Sequence, residues 1–193
     1  MTWTADRCYV EGLDFFTARV HAMGTEDWDR PSPCARWRAL DVLGHVGAAT
    51  RFGTQLLQGL SPQWAPSAGA PGDEVEGDPV AWWDALVEPA HDALGHVDLS
   101  RVVDSPRGKR SIGEGLSFPA VDLFVHGWDL ARTTGADVEI PAEAIEFAHT
   151  VLDPIPPDMM RSATVFATAI DIGPDASASN TFLAWTGRDP RGK

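Results

Sequence analysis

The chain has 193 residues, of which 28 are Asp or Glu and 15 are Lys or Arg, so its formal net charge is −13. Such an acidic surface repels both nucleic-acid phosphates and anionic lipid headgroups, so we expect neither nucleic acid nor a membrane as a partner. Hydrophobic residues make up 44% of the chain and charged residues 22%. This composition is typical of a globular protein that is long enough to form its own core.

The cysteine content and the N-terminal segment bear on the compartment. Cys8 and Cys34 are too few for a disulfide framework or a four-cysteine zinc site. The first 16 residues, MTWTADRCYVEGLDFF, include an acidic residue at position 6 and lack the apolar core of a signal peptide. The sequence also has no apolar run of about 18 residues. These features predict a soluble cytoplasmic protein with reduced thiols.

Hydrophobic periodicity predicts two helices in the first third of the chain. Apolar residues recur at steps of three and four over residues 4–23 and again from about 37 to 59. The segment 25–36 between them holds two prolines and is predicted to be a loop, with Trp28 folded inward. The Pro- and Gly-rich segment 60–77 is either a connection across a functional opening or a surface loop.

Two further helices follow, each with a recognisable start. Asp78 and Pro79 predict an N-cap and a first helical residue, and the helix should run to about residue 97 with a kink at Pro89. An extended piece and a turn are predicted over 98–110. Ser111, with Glu114 three residues later, forms a possible capping box for a helix that ends near residue 134. Pro119 predicts that this helix either begins or bends there.

The remaining elements are shorter. We expect a helix over 141–152, a strand over 165–172 and a last helix over about 176–186. The chain as a whole is therefore predicted to be mainly α. A four-helix bundle occupies residues 1–135, and a small C-terminal α+β extension over 136–193 packs on it.

One segment of the fourth helix has the pattern of a metal site. In VDLFVHGWDLARTTG, Asp122 and His126 are four residues apart, so a carboxylate and an imidazole share one helix face. Their neighbours are apolar, and a titratable pair in such a setting is costly unless it is paired or binds a metal. His45 lies among apolar residues on the second helix and is a candidate third ligand.

Two interpretations of this pattern stay open. The simpler one is a buried Asp–His hydrogen bond. In the other, His45, Asp122 and His126 hold one divalent ion and leave coordination positions open, as catalytic sites do. Nitrogen and oxygen ligands favour zinc and are also compatible with nickel, iron and manganese. His91, His96 and His149 are interpreted as structural or solvated.

Residues near this pattern have alternative roles. Asp129 either orients His126 or forms a salt bridge to Arg132, and the two are weighed equally. Arg51, six residues after His45, is a candidate contact for a ligand carboxylate or a cofactor, although a solvated arginine is the simpler interpretation. We expect Cys34 to be a buried structural thiol and Arg188 to hold the C-terminal tail.

Four stretches together resemble a known superfamily. They are DWDRPSPCARWRALDVLGHV at 27–46, DPVAWWDAL at 78–86, VDLFVHGWDLARTTG at 121–135 and FLAWTGRDP at 182–190. The sequence is similar to the DinB-like metal-binding helical-bundle superfamily. More narrowly, it resembles the actinobacterial branch that is related to mycothiol-dependent maleylpyruvate isomerase.

The resemblance implies a four-helix bundle that binds one divalent metal ion. Carried over by position, the ligands are His45, Asp122 and His126; the isomerase relatives have Glu where this chain has Asp122, which has a shorter side chain. The resemblance also implies chemistry with a low-molecular-weight thiol such as mycothiol. The metal would lower the pKa of the thiol, and the thiolate would attack a small electrophile.

Three classes of function are compatible with these features. The first is a metal-dependent isomerase or thiol transferase that uses mycothiol. The second is a metal-dependent hydrolase, lyase or cyclase that uses bound water, for example in natural-product metabolism. The third is a non-catalytic bundle that binds a metal or another ligand. Eight tryptophans would either fill the core or line a homodimer surface.

Overall fold

The four long helices predicted from periodicity are present. The computed structural model describes residues 2–62, 69–95, 97–105, 108–161 and 165–192. The long helices are α1 (Ala5–Val20), α2 (Ala39–Leu57), α3 (Pro79–Leu94) and α4 (Ile112–Thr133). Their ends lie within about three residues of the predicted ones, which is the usual precision of a reading from periodicity and caps.

Local hydrogen bonds explain where α3 and α4 begin. The Asp78 carboxylate accepts from the backbone N–H of Ala81 at 2.9 Å, so it caps α3 as predicted. At α4 the Ser111 hydroxyl accepts from the Glu114 N–H at 3.2 Å, and the Glu114 carboxylate accepts from the Ser111 N–H at 2.8 Å. This reciprocal pair is the predicted capping box.

The four helices pack as a bundle around one core. α4 lies against both α1 and α2, while α3 closes the other side against α1 and α2. Gly12 allows the close approach of α1 to α4, because a Cβ there would lie 3.0 Å from the Leu123 Cβ. The core includes the large, fully buried side chains of Tyr9, Phe16, Trp83, Phe124 and Trp128.

Prolines inside two helices do not interrupt them. α4 continues through Pro119, and α3 continues through Pro89. Of the two alternatives predicted for Pro119, a helix that begins there is therefore wrong. Its N-terminus is fixed eight residues earlier by the Ser111 cap, so Asp122 and His126 lie in the middle of a long helix.

A hairpin and a turn complete the bundle. β1 (Val102–Ser105) pairs with β2 (Gly108–Ser111) in antiparallel register, with Val103 opposite Arg110. In the 60–77 connection, of which residues 63–68 lie outside the described residues, Pro71–Glu74 forms a 3₁₀ turn. This turn lies against α2, and the Gly72 N–H donates to the buried Asp41 carboxylate at 3.1 Å.

The described C-terminal residues contain three further helices. They are α5 (Ala142–Leu152), α6 (Pro157–Met160) and α7 (Ala178–Trp185), and α5 packs on α4 and α7. The prediction of a strand over 165–172 is wrong. The described residues of this region form only one isolated β-bridge, between Arg161 and Phe166. Its Val, Phe, Thr and Ile residues favour a strand, but among the described residues no neighbouring strand pairs with it.

Other expectations have mixed outcomes. Trp28 is 5% exposed and folds inward as predicted, and with Trp83 and Trp128 it belongs to the core. The homodimer and the division of the chain at residue 135 stay predictions. Within the described residues, none of the helices has the length and apolar character needed to cross a bilayer.

Candidate functional site

The contact between α2 and α4 brings the three predicted ligand residues together. Ligand atoms of His45, Asp122 and His126 all lie within 4.8 Å of one another. His45 Nε2 is 3.3 Å from Asp122 Oδ2. Two ligands of one zinc ion, each ~2.0–2.2 Å from it, lie at most about 4.4 Å apart. Small side-chain rotations would therefore allow all three residues to hold a single ion.

These side chains are buried to different degrees. The exposed fraction is 23% for His45, 15% for Asp122 and 7% for His126. Burial raises the pKa of the Asp122 carboxyl, but the hydrogen bond with His45 and the nearby His126 and Arg188 lower it more, so the net pKa lies below its usual value. Asp122 is therefore ionised at neutral pH, as a metal ligand must be.

Asp129 fixes the orientation of the His126 ring. Its Oδ2 lies 2.8 Å from His126 Nδ1. An ionised carboxylate only accepts, so Nδ1 carries the proton and His126 Nε2 is left with its lone pair. Burial lowers the pKa of His126, and the nearby His45 lowers it further. The hydrogen bond to Asp129 raises it, but the net pKa lies below its usual value. The ring is thus neutral near pH 7, the form that binds metals.

The alternative partner proposed for Asp129, Arg132, is not the one observed. Asp129 pairs with Arg188, which donates from Nε to Oδ1 at 2.9 Å and from Nη2 to Oδ2 at 2.7 Å. Burial raises the pKa of the Asp129 carboxyl, but Arg188 and the hydrogen bond from His126 lower it to about 2. Arg132 instead reaches the tail, where it donates to the Gly192 carbonyl, and no ion pair joins it to Asp129 among the described residues.

The loop between α1 and α2 supplies one residue, Trp37, that the sequence analysis did not assign to the site. The Trp37 ring lies over both imidazoles, with centroid distances of 4.9 Å to His45 and 5.8 Å to His126. The Ser32 hydroxyl ties the loop together by donating to the carbonyls of Cys34 and Trp37. Arg36 has a φ of 72°, a left-handed conformation that costs a non-glycine residue about 1–2 kcal/mol.

Cys34 borders the site and is partly buried, whereas the sequence analysis expected a buried structural thiol. Its Sγ, the His126 ring and the Asp129 carboxylate form a second group with ligand atoms within 4.8 Å. This group is a poor cation site, because the Asp129 carboxylate already binds the Arg188 guanidinium. Burial and the charge of Asp129 raise the pKa of the Cys34 thiol to about 11, so it is protonated at neutral pH.

Arg51 does not contact a candidate ligand carboxylate. It donates to Glu74 at 3.2 Å, and its guanidinium lies 4.9 Å from the centroid of the Trp82 ring. Both contacts fasten the Pro71–Glu74 turn and α3 to α2. A role for Arg51 toward a cofactor stays a prediction.

The other described histidines lie away from this cluster, each beside a surface carboxylate. His21 lies 2.8 Å from Asp84, His91 lies 3.4 Å from Asp14 and His149 lies 3.1 Å from Asp153. These exposed pairs are typical of solvated helix surfaces. His96, also interpreted as structural or solvated, lies outside the described residues.

Comparison with known proteins gives consistent relatives. Residues 10–131 match the mycothiol maleylpyruvate isomerase N-terminal domain family. Two uncharacterized proteins of Mycobacterium tuberculosis, MT0763 and Rv0738, are each 26% identical to this chain over 147 residues, which is 73% of this chain and 75% of the relative. The matched family region contains His45, Asp122, His126 and Asp129, whereas Arg188 lies beyond it.

Solved structures show the same fold. The crystal structure of a mycothiol-dependent maleylpyruvate isomerase superposes with a TM-score of 0.60 at 16% identity, and a histidine-to-alanine mutant of that isomerase superposes equally well at 15%. The match covers 74% of this chain but only 65% of the isomerase chain. On the strength of the match over residues 10–131, this chain belongs to the mycothiol maleylpyruvate isomerase N-terminal domain family.

Proposed function

We propose that this protein is a metal-dependent enzyme that activates a low-molecular-weight thiol, mycothiol first among them, for attack on a small electrophile. The observation that carries the proposal is the convergence of ligand atoms from His45, Asp122 and His126 within 4.8 Å. Family membership supports the choice of thiol. The solved relative is a mycothiol-dependent maleylpyruvate isomerase, and isomerisation or thiol transfer is the reaction class that we propose here.

The three residues fit a divalent ion in charge and in protonation. Asp122 supplies one negative charge, and each of the two histidines would supply one ring nitrogen. His126 can offer only Nε2, because its Nδ1 proton is held by Asp129. An ion bound here would lower the pKa of a thiol and so supply the thiolate that acts as the nucleophile.

The remaining groups of the site would bind, orient and shield. His45 and Asp122 keep 23% and 15% of their side chains exposed, so a small thiol and substrate would enter from their side. The Trp37 ring packs against both imidazoles and would form one apolar wall of the site. The Cys34 thiol, protonated at neutral pH, would not compete with an external thiolate as a nucleophile.

Metal content tests the ligand set. The purified protein should hold about one equivalent of a divalent ion, and both His45→Ala and Asp122→Ala should lose it, since each leaves only two ligands. His91→Ala is the matched control, because His91 pairs with Asp14 on the surface and should keep the metal. Stoichiometric metal in purified His45→Ala would overturn the assignment.

Thiol binding tests the chemistry. Calorimetric titration of the metal-loaded protein with mycothiol at pH 7, in buffers of different ionisation enthalpy, should show binding with release of a proton. Proton release is expected because a thiol with an ordinary pKa of about 8.5 would bind as the thiolate. Absence of mycothiol binding to the loaded protein would refute the thiol chemistry and leave an enzyme that uses bound water.

A further inference from the structure

The C-terminal tail contains one buried cation, Arg188, close to the candidate metal ligands His45, Asp122 and His126. Arg188 follows α7, and 8% of its side chain is exposed. It meets both oxygens of Asp129, whose side chain is completely buried, at 2.9 and 2.7 Å. Such a two-point arginine–carboxylate pair is among the strongest hydrogen-bonded contacts in proteins, and it fixes the plane of the carboxylate.

The same carboxylate also holds His126. Asp129 Oδ2 accepts from Arg188 Nη2 at 2.7 Å and from His126 Nδ1 at 2.8 Å. The orientation of the imidazole therefore depends on the orientation of the carboxylate, which in turn depends on the guanidinium. Without Arg188, Asp129 would be a buried charge lacking its main partner, and it would have to move, take up a proton or attract water.

We propose that Arg188 is a positioning residue for the metal centre, which it orders through Asp129 and His126. This inference rests on the proposed function, because it assumes that His126 Nε2 is a metal ligand. Mutation of a carboxylate that holds a metal-bound histidine typically weakens metal binding 10–100-fold. Arg188 should act at the lower end of that range, because it is one residue further from the ion.

A purely structural role for Arg188 gives a different expectation. Arg188 would then only hold the tail against the bundle. Removing any other contact that holds the tail should then weaken metal binding to the same extent. Arg132 is such a tie, since it donates to the Gly192 carbonyl and packs on Trp128 without pairing with Asp129. Arg132→Ala therefore loosens the same tail and leaves the Arg188–Asp129–His126 chain intact, which makes it the matched control.

The experiment measures Zn²⁺ affinity by competition with a chelator, together with the melting temperature of the metal-free protein. Arg188→Ala should weaken Zn²⁺ binding by about tenfold, and Asp129→Asn by about 10–100-fold. Arg132→Ala should change affinity by less than about threefold, as expected for an exposed site. The Arg188→Ala and Asp129→Asn effects should not add, because both act on His126.

A spectroscopic signature separates positioning from general loosening. In histidine-labelled metal-free protein, the ¹⁵N shifts of His126 should report a proton on Nδ1, and this preference should weaken in Arg188→Ala but not in Arg132→Ala. If Arg188→Ala does not fold, Arg188→Lys decides. It keeps the charge but loses the two-point geometry, so it should fold and still bind Zn²⁺ more weakly than the wild type.

The possible failures are distinguishable. If the wild-type protein binds no Zn²⁺, or if His45→Ala binds it as tightly as the wild type, the proposed metal centre is wrong. If the wild type binds and His45→Ala does not, while folded Arg188→Ala or Arg188→Lys retains wild-type affinity and the wild-type His126 signature, the metal centre stands and the role given to Arg188 is wrong. Equal weakening in Arg132→Ala would also overturn that role.

Discussion

Gly44 lies next to His45 on α2. Among the described glycines, it is the one at which an added Cβ would make the shortest contact. A Cβ at this position would lie 2.0 Å from the Pro71 carbonyl oxygen and 2.9 Å from the Gly72 nitrogen. Both atoms belong to backbone, so the Pro71–Glu74 turn would have to move by more than about 1 Å to restore normal contact. That movement would break the Gly72–Asp41 hydrogen bond of 3.1 Å.

These distances set the size of the effect of Gly44→Ala. Overpacking costs about 1–3 kcal/mol, and a lost hydrogen bond to a charged group costs about 1.5–3 kcal/mol. Alanine offsets up to about 1 kcal/mol of this through its higher helix propensity. We therefore expect the free energy of unfolding to fall by at least about 1.5 kcal/mol. For a chain of this length that corresponds to a melting temperature at least about 3 °C lower.

Gly113→Ala is the control for this substitution. Gly113 lies in the first turn of α4, and a Cβ there would meet the Leu99 carbonyl oxygen at 3.6 Å, an ordinary contact. This variant should be as stable as the wild type or up to about 1 kcal/mol more stable. Urea unfolding of the metal-free proteins measures both changes. A Gly44→Ala variant that is as stable as Gly113→Ala would refute the reasoning from the turn.

Two more predictions concern Cys8 and Trp37. Burial, followed by the charge of Glu11, raises the pKa of the Cys8 thiol from 9.0 to about 12. Between these pH values the unfolded thiol is ionised and the folded one is not, so stability should fall above pH 9 by up to about 1.4 kcal/mol per pH unit. Urea unfolding should show a shallower decline in Cys8→Ala, and equal slopes would contradict the burial argument. Co²⁺ should quench the fluorescence of Trp37, whose ring lies 4.9 Å from that of His45. Trp37→Phe should remove most of the quenching and Trp185→Phe little of it, and the reverse order would contradict the placement of the ion.

The helical part of the fold could be predicted because its signals are local. Asp78 and Ser111 cap α3 and α4 with their own side chains, and no distant residue is needed to identify them. Pro119 was harder to interpret, because whether a helix continues through proline depends on the packing around it. The segment 165–172 shows the opposite problem. Its β-branched and aromatic residues predict a strand, but a strand also needs a neighbouring strand with which to pair.

The candidate site was predictable only in part, for a related reason. Asp122 and His126 are one helical turn apart, so their shared face follows from the spacing. Trp37 lies in a loop whose path depends on the Ser32 hydrogen bonds and on the left-handed Arg36, and periodicity gives no information there. Arg188 was interpreted as a tie for the tail. That it meets Asp129, 59 residues earlier, could not be inferred from any local pattern.

The long sequence separations within the site have a consequence for folding. His45 and Asp122 are 77 residues apart, and Asp129 and Arg188 are 59 residues apart. Each contact closes a long loop, so the conformational entropy of that loop must be lost before the contact can contribute to stability. Because Arg188 follows the candidate ligands by 62 residues or more, a nascent chain would contain His45, Asp122 and His126 before it contains Arg188. An ion that binds only the assembled site would stabilise the folded protein and no form of it in which these contacts are still missing.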